Sequence, residues 1–461
     1  MFQAEKCFGK RVVSREIETV SPHIRSSALE VVQTLREAGF EAFWVGGCVR
    51  DHLLGREPLD YDLATSAKPE EVERLFKSTL PLGRAFGVVM VKLDGFWFQV
   101  ATFRSESGYQ DGRRPGRVEF ADARADALRR DFTVNGLFYD PVAGVVHDWV
   151  DGRRDLDAGI IRTIGKPHER FQEDHLRMLR AVRFAAQLGF SIEPATLAAI
   201  REGARDLARI SAERVREELC KTFQPPHSAR GLELLQSSGL LRVALPELEA
   251  TVDCEQSPDH HPEGSVFKHI LKMLECLPPN ASTNLVWAVL LHDIAKPVTA
   301  SRDAASGAIH FYGHEKTGAG MAEAILGRLR FPRRLAAEIV VSVRNHMQFK
   351  DVKKMRRSTL RHMLMRPTFG LELELHRLDC LGSSGDLGHY EFLVSENQIL
   401  SSMPKLHPPL VNGRDLIRLG MKPGMELGAV LREIREKQLA DEITSRRQAL
   451  AWVKRKLAGT N

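Results

Sequence analysis

Residues 43–65 read Phe43-Trp-Val-Gly-Gly-Cys-Val-Arg-Asp-His-Leu-Leu-Gly-Arg-Glu-Pro-Leu-Asp-Tyr-Asp-Leu-Ala-Thr65, and this stretch decides the fold. The apolar run at 43–45 predicts a strand, Gly46 and Gly47 predict a tight turn, and the pattern from Val49 onward predicts a helix. Glycines let the backbone approach a bulky anion, and the first turn of the following helix exposes N–H groups beside Arg50. The turn therefore predicts a triphosphate site formed by Gly46, Gly47 and Arg50.

Two carboxylates follow at Asp60 and Asp62, in a segment predicted to be a second strand. Because side chains alternate along a strand, both carboxylates would point to one face, with Tyr61 and Leu63 on the other. Paired oxygen ligands suit Mg²⁺, which bridges nucleotide phosphates and assists in-line displacement. A glycine pair or an Asp-x-Asp alone is most often a turn or a solvated strand end, but together they are far more specific. Asp60 and Asp62 are thus predicted to be catalytic and to bind Mg²⁺.

The chain has 461 residues, more than one hydrophobic core usually supports, so several domains are expected. No apolar run reaches the length of a membrane span, and the first residues lack the layout of a secretory signal. We therefore expect a cytoplasmic protein without a membrane partner. The six cysteines include no Cys-x-x-Cys pair, which argues against a zinc knuckle or a disulfide framework.

Basic residues are clustered rather than greatly in excess. The net charge is +6 and the pI is near 9.0, which permits a polyanionic partner without requiring one. Basic clusters lie at 111–117, 177–183, 331–334 and 353–357. A charge run is usually a solvated face, but four of them in a chain with a predicted nucleotide site favour RNA as a partner.

The first part of the chain alternates strand-like and helix-like patterns. The runs at 87–93 and 96–103 are separated by Asp94-Gly95, a strong hairpin signal. These patterns predict an α+β head built on a mixed sheet with helices, and not a doubly wound dinucleotide fold. From about residue 160 helical periodicity dominates, so the rest of the chain is predicted to be all-α.

Residues 171–189 are predicted to form one helix that ends at Gly189. Along it Asp174, Arg177, Arg180 and Arg183 follow one another at i, i+3 spacing. The row can be an intrahelical salt-bridge ladder, but such pairs contribute only about 0.2–0.5 kcal/mol each, so stability gives little reason for three arginines. A carboxylate beside a forked guanidinium can instead present a base-like hydrogen-bonding edge to a nucleotide.

Three motifs resemble those of the class II CCA-adding enzymes and the bacterial poly(A) polymerases. They are the Gly-Gly-x-Val-Arg-Asp-x-Leu-Leu-Gly run with its Asp-x-Asp, the element Arg129-Arg-Asp-Phe-Thr-Val-Asn135, and Glu173-Asp-x-x-Arg177. The resemblance implies a polymerase β-like nucleotidyltransferase head that adds C, C and A from CTP and ATP to the 3′ end of tRNA, without a nucleic-acid template and with Mg²⁺. It also implies that Asp174 and Arg177 select CTP and then ATP, and that Arg130, Arg180 and Arg183 contact triphosphate or base.

A second set of metal-suited residues lies downstream at His269, His292, Asp293 and Asp379. Successive helices can project such ligands into a shared centre, although a lone histidine on an apolar helix is more often a core residue. The ordered set resembles an HD-type metal-dependent phosphohydrolase domain, in which a divalent transition metal or Mg²⁺ would activate water toward a phosphate ester. His314 and His346 would complete a two-metal version. A vestigial domain that keeps these residues as a polar cluster is the alternative.

The family comparison suggests four domains. They are a nucleotidyltransferase head at 1–165, a helical neck at 166–250 that recognises RNA and nucleotide, an HD domain at 251–395, and a helical tail at 396–461 that binds tRNA. Glycine and proline at 165–168 interrupt the periodicity and mark the first boundary. The tail is basic, and the resemblance implies that it holds the elbow of tRNA through phosphate and shape contacts.

The position where the superfamily commonly has a third carboxylate is Gln99, and an amide offers no charged ligand. Four other functions remain open. An enzyme that adds only A, one that adds only CC, and a poly(A) polymerase share the same head. An HD phosphohydrolase with an RNA-binding head is the rival of another class, while a pure RNA-binding module fits poorly with two metal-suited sets.

Overall fold

In the computed structural model, the apolar run before Gly46 becomes an inner strand of a seven-stranded sheet. The structure describes residues 22–83, 87–109, 112, 116–257, 261–402 and 408–458. The chain divides into two compact units, Met1–Ile210 and Ser211–Asn461. The four-domain division expected from the sequence is finer than this and stays a prediction.

The first unit contains eleven of the described strands and eight of the described α-helices. The strands are β1 Ala42–Val45, β2 Asp62–Thr65, β3 Thr79–Gly83, β4 Val88–Leu93, β5 Phe96–Thr102, β6 Arg104–Ser107, β7 Arg117–Phe120, β8 Phe138–Asp140, β9 Val145–His147, β10 Ile160–Ile161 and β11 Ser191–Ile192. The helices are α1 Pro22–Glu37, α2 Gly47–Leu53, α3 Pro69–Leu75, α4 Ala123–Leu128, α5 Gly152–Ala158, α6 Pro167–Glu173, α7 Leu176–Leu188 and α8 Pro194–Gly203.

The sheet has the order β3-β4-β5-β2-β1-β8-β9. Strand β5 runs parallel to β2, whereas the other neighbouring pairs are antiparallel. Asp94 and Gly95 both have positive φ, 49° and 87°, and form the tight turn between β4 and β5. The predicted mixed sheet, with helices around it, is therefore confirmed.

The sheet is fixed to the rest of the head by an aromatic core. Every residue of β1 is buried, and the rings of Phe43, Phe103 and Phe138 lie 6.0–6.3 Å apart. Buried aromatic pairs of this kind dominate core energetics. They pack β1 and β8 against the residue that follows β5, and so help to fix the strands that carry the predicted site.

Two local predictions were wrong. The residues 171–189 do not form one helix, because the chain leaves the helical region at Asp174 (φ −146°, ψ 105°) and restarts as α7 at Leu176. Strand β2 begins at Asp62, so Asp60 precedes the strand instead of lying on it. The predicted end at Gly189 is confirmed, with φ 76°.

The second unit is largely helical. Its helices are α9 Ala212–Thr222, α10 Ser228–Ser237, α11 Leu241–Ala244, α12 Pro246–Glu249, α13 Val266–Glu275, α14 Thr283–Leu291, α15 Lys296–Thr299, α16 His314–Arg328, α17 Arg333–Asn345, α18 Arg357–Leu364, α19 Phe369–Gly382, α20 Gly388–Ser401, α21 Gly413–Arg418, α22 Met425–Leu439 and α23 Arg446–Ala458. A two-stranded hairpin is formed by β12 Ser301–Arg302 and β13 Ile309–His310.

The buried helix α14 lies at the centre of this unit and packs on α13, α17 and α19. Its Trp287 is fully buried, with its ring 6.0 Å from Phe223 and 4.8 Å from Phe331. A separate apolar cluster joins α21, α22 and α23 around Leu416, Ile434 and Val453.

The basic loop at 110–115 falls, apart from Gly112, outside the described residues, as do residues 84–86. In the part of the chain that the structure describes, no helix is both long and apolar enough to cross a membrane.

Candidate functional site

The glycine turn is built as the sequence predicts. Gly46 has φ 75°, and helix α2 starts at Gly47. A Cβ added at Gly46 would lie 3.2 Å from Arg130 Nη1. The turn thus needs glycine both for its backbone conformation and for the space beside Arg130.

Arg50 is held rigidly on α2. It is buried, its Nη1 donates to Asn135 Oδ1 at 2.8 Å, and its Nε donates to Asp51 Oδ1 at 2.9 Å. Its guanidinium lies 5.4 Å from the centre of the Phe184 ring. A cation that is fixed in this way is already oriented for an anion.

Asp60 and Asp62 line one cavity of about 490 Å³ together with Gly46 and Gly47. The buried Tyr61 between them packs against Trp44. Burial and, to a lesser extent, the charge of Asp60 raise the pKa of Asp62 to about 6, while the charge of Arg130 opposes this shift. A buried carboxylate whose ionised form is disfavoured by a neighbouring carboxylate suits a bound cation, so the donor set fits Mg²⁺.

Gln99 lies beside this pair. It is the Cα partner of Asp62 across the parallel strands β2 and β5, and it lines the same cavity. The residue expected at the third-carboxylate position is therefore next to the metal-suited pair, where it offers an amide instead of a charge.

The arginines of the site are positioned by buried carboxylates. Arg180 donates twice to Asp131 Oδ2, at 2.8 and 2.6 Å, and Arg130 donates to Asp126 Oδ2 at 3.1 Å. Burial would raise the pKa of Asp131, but the charge and hydrogen bonds of Arg180 hold it at about 2. Asp131 is thus ionised, and it fixes Arg180 on the cavity wall.

Asp174 and Arg177 both line the cavity, although they do not share a helix. Arg177 Nη1 donates to Glu173 Oε2 at 2.5 Å, and its Nη2 donates to the carbonyl oxygen of Arg129 at 3.3 Å. Arg180 pairs with Asp131, far away in sequence. These contacts differ from an intrahelical ladder, since the acidic partners lie outside α7.

The structure gathers most of the predicted residues around one cavity. Its lining includes Gly46, Gly47, Arg50, Asp60, Asp62, Arg130, Asp174, Arg177 and Arg180. Arg183 is not among the described residues that line it, and its guanidinium lies 4.2 Å from the Phe184 ring centre. Sequence reasoning did not single out Arg104, Arg129, Asp131, Asn135 and Phe184, which also line the cavity. The Arg129–Asn135 motif contained three of these five.

A second centre is formed in the helical unit. His269 Nε2 lies 3.0 Å from Asp379 Oδ1, and its Nδ1 donates to Glu263 Oε1 at 2.9 Å. Burial would lower the pKa of His269, but the hydrogen bonds to Asp379 and Glu263 raise it to about 9. The two carboxylates thus favour the protonated form of His269.

Three further histidines turn their Nε2 atoms toward Asp293. His292, His314 and His346 donate from Nδ1 to carbonyl oxygens three residues earlier, at 2.6–2.9 Å. The Nε2 atoms lie 3.1, 3.4 and 3.6 Å from Asp293 carboxylate oxygens. Although the buried Nε2 of His292 lies 3.1 Å from Asp293 Oδ2, it makes no hydrogen bond of regular geometry among the described residues.

The tautomers of these histidines determine which kind of ion the second centre can bind. With Nδ1 protonated, a neutral imidazole has a lone pair on Nε2, yet His314 and His346 face each other at 3.2 Å between these atoms. Two lone pairs cannot form a hydrogen bond, so this arrangement suits a cation between the two nitrogen atoms. The donor set of imidazoles and carboxylates fits a divalent metal. Lys296, whose Nζ lies 2.6 Å from Asp293, and Glu263 were not singled out from the sequence.

The mixed sheet, the glycine turn and the two carboxylates define a nucleotidyltransferase-type head, and the second centre defines an HD-type domain. Family models agree: a poly A polymerase head domain matches residues 42–162, a probable RNA and SrmB-binding site of polymerase A matches 189–251, and an HD domain matches 265–373. A CCA-adding enzyme of Levilactobacillus brevis is 34% identical over 92% of this chain and 96% of its own length. The chain belongs to the CCA-adding enzyme family.

Other relatives match over a shorter range. The chain spans about half the length of several curated relatives, as with the CCA-adding enzyme of Lactobacillus johnsonii, which is 46% identical over 48% of this chain and 55% of its own. A structure of the Bacillus stearothermophilus CCA-adding enzyme in complex with CTP has a TM-score of 0.73 and 27% identity, covering 94% of this chain and 98% of its own. The Thermotoga maritima enzyme complexed with tRNA_CCA, at 22% identity, 96% and 97% coverage and a TM-score of 0.60, shows the same fold.

Proposed function

We propose that this protein adds C, C and A from CTP and ATP to the 3′ end of tRNA, with Mg²⁺ and without a nucleic-acid template. The observation that carries this proposal is that Asp60 and Asp62 line the same cavity as the Gly46 turn and the Asp174 and Arg177 pair. The CTP and tRNA named for the related structures support the same substrates.

Each residue has a stated part in the proposed reaction. The Gly46 turn and Arg50 would hold the triphosphate, while Asp60 and Asp62 would hold Mg²⁺. The ion, when bound, lowers the pKa of the attacking hydroxyl and stabilises charge on the phosphates. Asp174 and Arg177 offer an acceptor and a rigid donor to the base edge. No strand of nucleic acid is needed to read the base when the protein supplies this edge.

The remaining arginines complete the proposed site. Arg130 and Arg180 line the cavity and face the triphosphate or base, and Arg183 takes part from beside Phe184. Their carboxylate partners preset the guanidinium positions, so little ordering is needed when the nucleotide binds. Helices α21–α23 would hold tRNA outside the acceptor end, which leaves the choice of nucleotide to the head.

The decisive experiment offers three tRNA transcripts, ending before CCA, after C and after CC, each with CTP, ATP or both. Full CCA addition supports the proposal, whereas addition of only CC, of only A, or of long A tails identifies the other activities. Asp60→Ala is expected to lower the rate about a thousandfold or more, because a metal ligand supplies several kcal/mol of transition-state stabilisation. The control is Asp157→Ala, at an exposed position on α5. Normal addition by Asp60→Ala would refute the assigned role.

We further propose that the second centre hydrolyses phosphate esters. The convergence of three Nε2 atoms on Asp293 supports a loaded metal site over a vestigial polar cluster. His269, His292, Asp293 and Asp379 would hold the divalent ion, with His314 and His346 extending the site. When bound, the ion activates water.

This second activity is tested by the release of nitrophenol from bis(p-nitrophenyl) phosphate. His292→Ala is expected to abolish it, and His362→Ala, at a half-exposed position on α18, is the control. If both variants hydrolyse the ester like the parent protein, the second centre is vestigial.

A further inference from the structure

An exposed aromatic pair borders the cavity above the second centre. Tyr312 is 78% exposed, unusually so for a large ring, and it stacks on His310 with the ring centres 5.2 Å apart and the planes at 20°. Both residues line a cavity of about 550 Å³ that also contains Asp293, His314 and His346. The free face of the aromatic pair is therefore on the wall of the proposed hydrolytic site.

The pair is rigidly linked to the metal-suited residues. Phe311 lies between His310 and Tyr312, and its carbonyl oxygen accepts hydrogen bonds from His314 N at 3.3 Å and from His314 Nδ1 at 2.7 Å. The residue that orients the imidazole of His314 is thus flanked by the two aromatic rings. A ligand on this pair is held at a fixed position relative to His314.

Positively charged side chains line the same cavity. Lys296 and Lys350 both line it, and Lys296 Nζ lies 2.6 Å from Asp293 and 5.4 Å from the Phe311 ring centre. The cavity thus combines a phosphate-suited region with a flat aromatic surface. Its volume is in the range that accommodates a small-molecule ligand of nucleotide size.

We propose that Tyr312 and His310 form a base-stacking subsite, so that the substrates of the second centre are phosphate esters that carry a nucleobase. The inference rests on the proposed hydrolytic function of that centre. Aromatic side chains bind bases through their faces, and every base has such a face. The subsite therefore recognises the presence of a base and tolerates its identity, and it serves a free nucleotide or the end of an RNA strand.

Binding is measured first, independently of turnover. The fluorescent analogue ethenoadenosine monophosphate is titrated, with Mn²⁺ present, into the full-length protein and into Tyr312→Ala and Tyr312→Phe. Any binding to the head is common to all three proteins, so differences between them report on this subsite. The expected result is a Kd about five- to tenfold higher for Tyr312→Ala and unchanged for Tyr312→Phe, which keeps the ring. Met425→Ala, at a 93% exposed position on α22, is the matched control.

Hydrolysis then separates the two proposals. Phosphate release is compared for AMP, for a short RNA with a 3′-phosphate, and for ribose 5-phosphate, which has no base. An increase in KM for AMP or RNA in Tyr312→Ala, with no change for ribose 5-phosphate, supports the subsite. The substrate that shows the increase tells whether the subsite serves a free nucleotide or the end of an RNA strand. If no ester is hydrolysed but the binding difference persists, the hydrolase proposal fails and the base subsite stands. Equal Kd values for Tyr312→Ala and the parent protein would overturn the subsite.

Discussion

When no cation is bound, Asp62 lowers the free energy of unfolding of the head at neutral pH. Burial and the neighbouring Asp60 raise its pKa from 3.8 to about 6, so the folded state binds the proton more tightly than the unfolded state does. The stability that this carboxyl contributes is fully present below about pH 4 and is lost as the pH rises through 6. A residue that we propose as a metal ligand is thus unfavourable for folding at neutral pH.

We therefore expect Asp62→Asn to abolish nucleotide transfer and to raise the free energy of unfolding of the head by about 1–3 kcal/mol at pH 8 without divalent cations. The gain should become small at pH 3, where the carboxyl is mostly protonated in both states. Urea unfolding at the two pH values measures the difference. A gain of the same size at both values would show that charge is not its origin.

The predicted role of Gly46 in nucleotide binding can be distinguished from the stability effect that is common to glycines with positive φ. Gly46→Ala is expected to cost about 1–2 kcal/mol of stability because of the left-handed backbone, and to lower kcat/KM for CTP and ATP on the order of a hundredfold, because the phosphates and Arg130 are displaced. Gly39→Ala is the control, since Gly39 has φ 90° and nothing within 4 Å of an added Cβ. The control should lose similar stability and keep its kcat/KM, and an equal kinetic loss in both variants would contradict the assignment.

At the scale of elements, Arg361 ties α18 to the end of α22. Its Nη1 donates to the Leu439 carbonyl oxygen at 2.9 Å and to Asp441 Oδ1 at 2.6 Å, and its Nη2 donates to Asp441 Oδ2 at 3.0 Å. Arg361 is buried, whereas Arg357, which also pairs with Asp441, is half-exposed. The two arginines therefore provide a buried and an exposed version of one ion pair.

Arg361→Ala is expected to destabilise the second unit by about 2–4 kcal/mol, and Arg357→Ala by less than about 1 kcal/mol. The hydrogen bond from Arg361 lowers the pKa of Asp441 below 3.8. Its contribution is thus present above about pH 4 and is lost as the pH falls further. Urea unfolding between pH 7 and pH 3 should show the gap between Arg361→Ala and the parent shrinking, and a constant gap would point to lost packing instead.

The elements that the sequence predicted correctly are those with local signals. The β4–β5 turn follows from Asp94-Gly95, and the strand, turn and helix at 43–53 follow from hydrophobic periodicity and two glycines. The break at Asp174 was not predictable in this way, because apolar residues continue the helical period on both sides of it. Contacts from Arg177 to the carbonyl oxygen of Arg129 accompany the break, and they join residues 48 positions apart.

At the scale of the whole molecule, each unit carries its own set of metal-suited residues, and the two sets differ chemically. The head offers carboxylates, which suit Mg²⁺, while the helical unit offers mainly imidazoles, which favour transition metals. Both sets were predicted from the sequence, because their members stand in motifs that occur in order along the chain. The sequence did not predict Glu263, whose contact with His269 depends on how the chain folds between them.

We expect chelation with EDTA to stop both proposed activities and their restoration to differ. Mg²⁺ alone should restore nucleotide transfer, whereas ester hydrolysis should return only with Mn²⁺, Co²⁺ or Ni²⁺. Both assays are run on one preparation, so that the enzyme concentration is identical. Equal recovery of both activities in Mg²⁺ would contradict the predicted difference.

Three imidazoles of the second centre, those of His292, His314 and His346, are each oriented by the carbonyl oxygen of the residue three positions earlier. We expect this prearranged set of imidazoles to keep its shape with and without the proposed ion. Removal of the ion should then be reversible, and the far-ultraviolet circular dichroism of the metal-free protein should match that of the metal-loaded one. Co²⁺, which absorbs visible light, can then be bound as a spectroscopic probe, and its absorption spectrum reports on the nitrogen ligands around it.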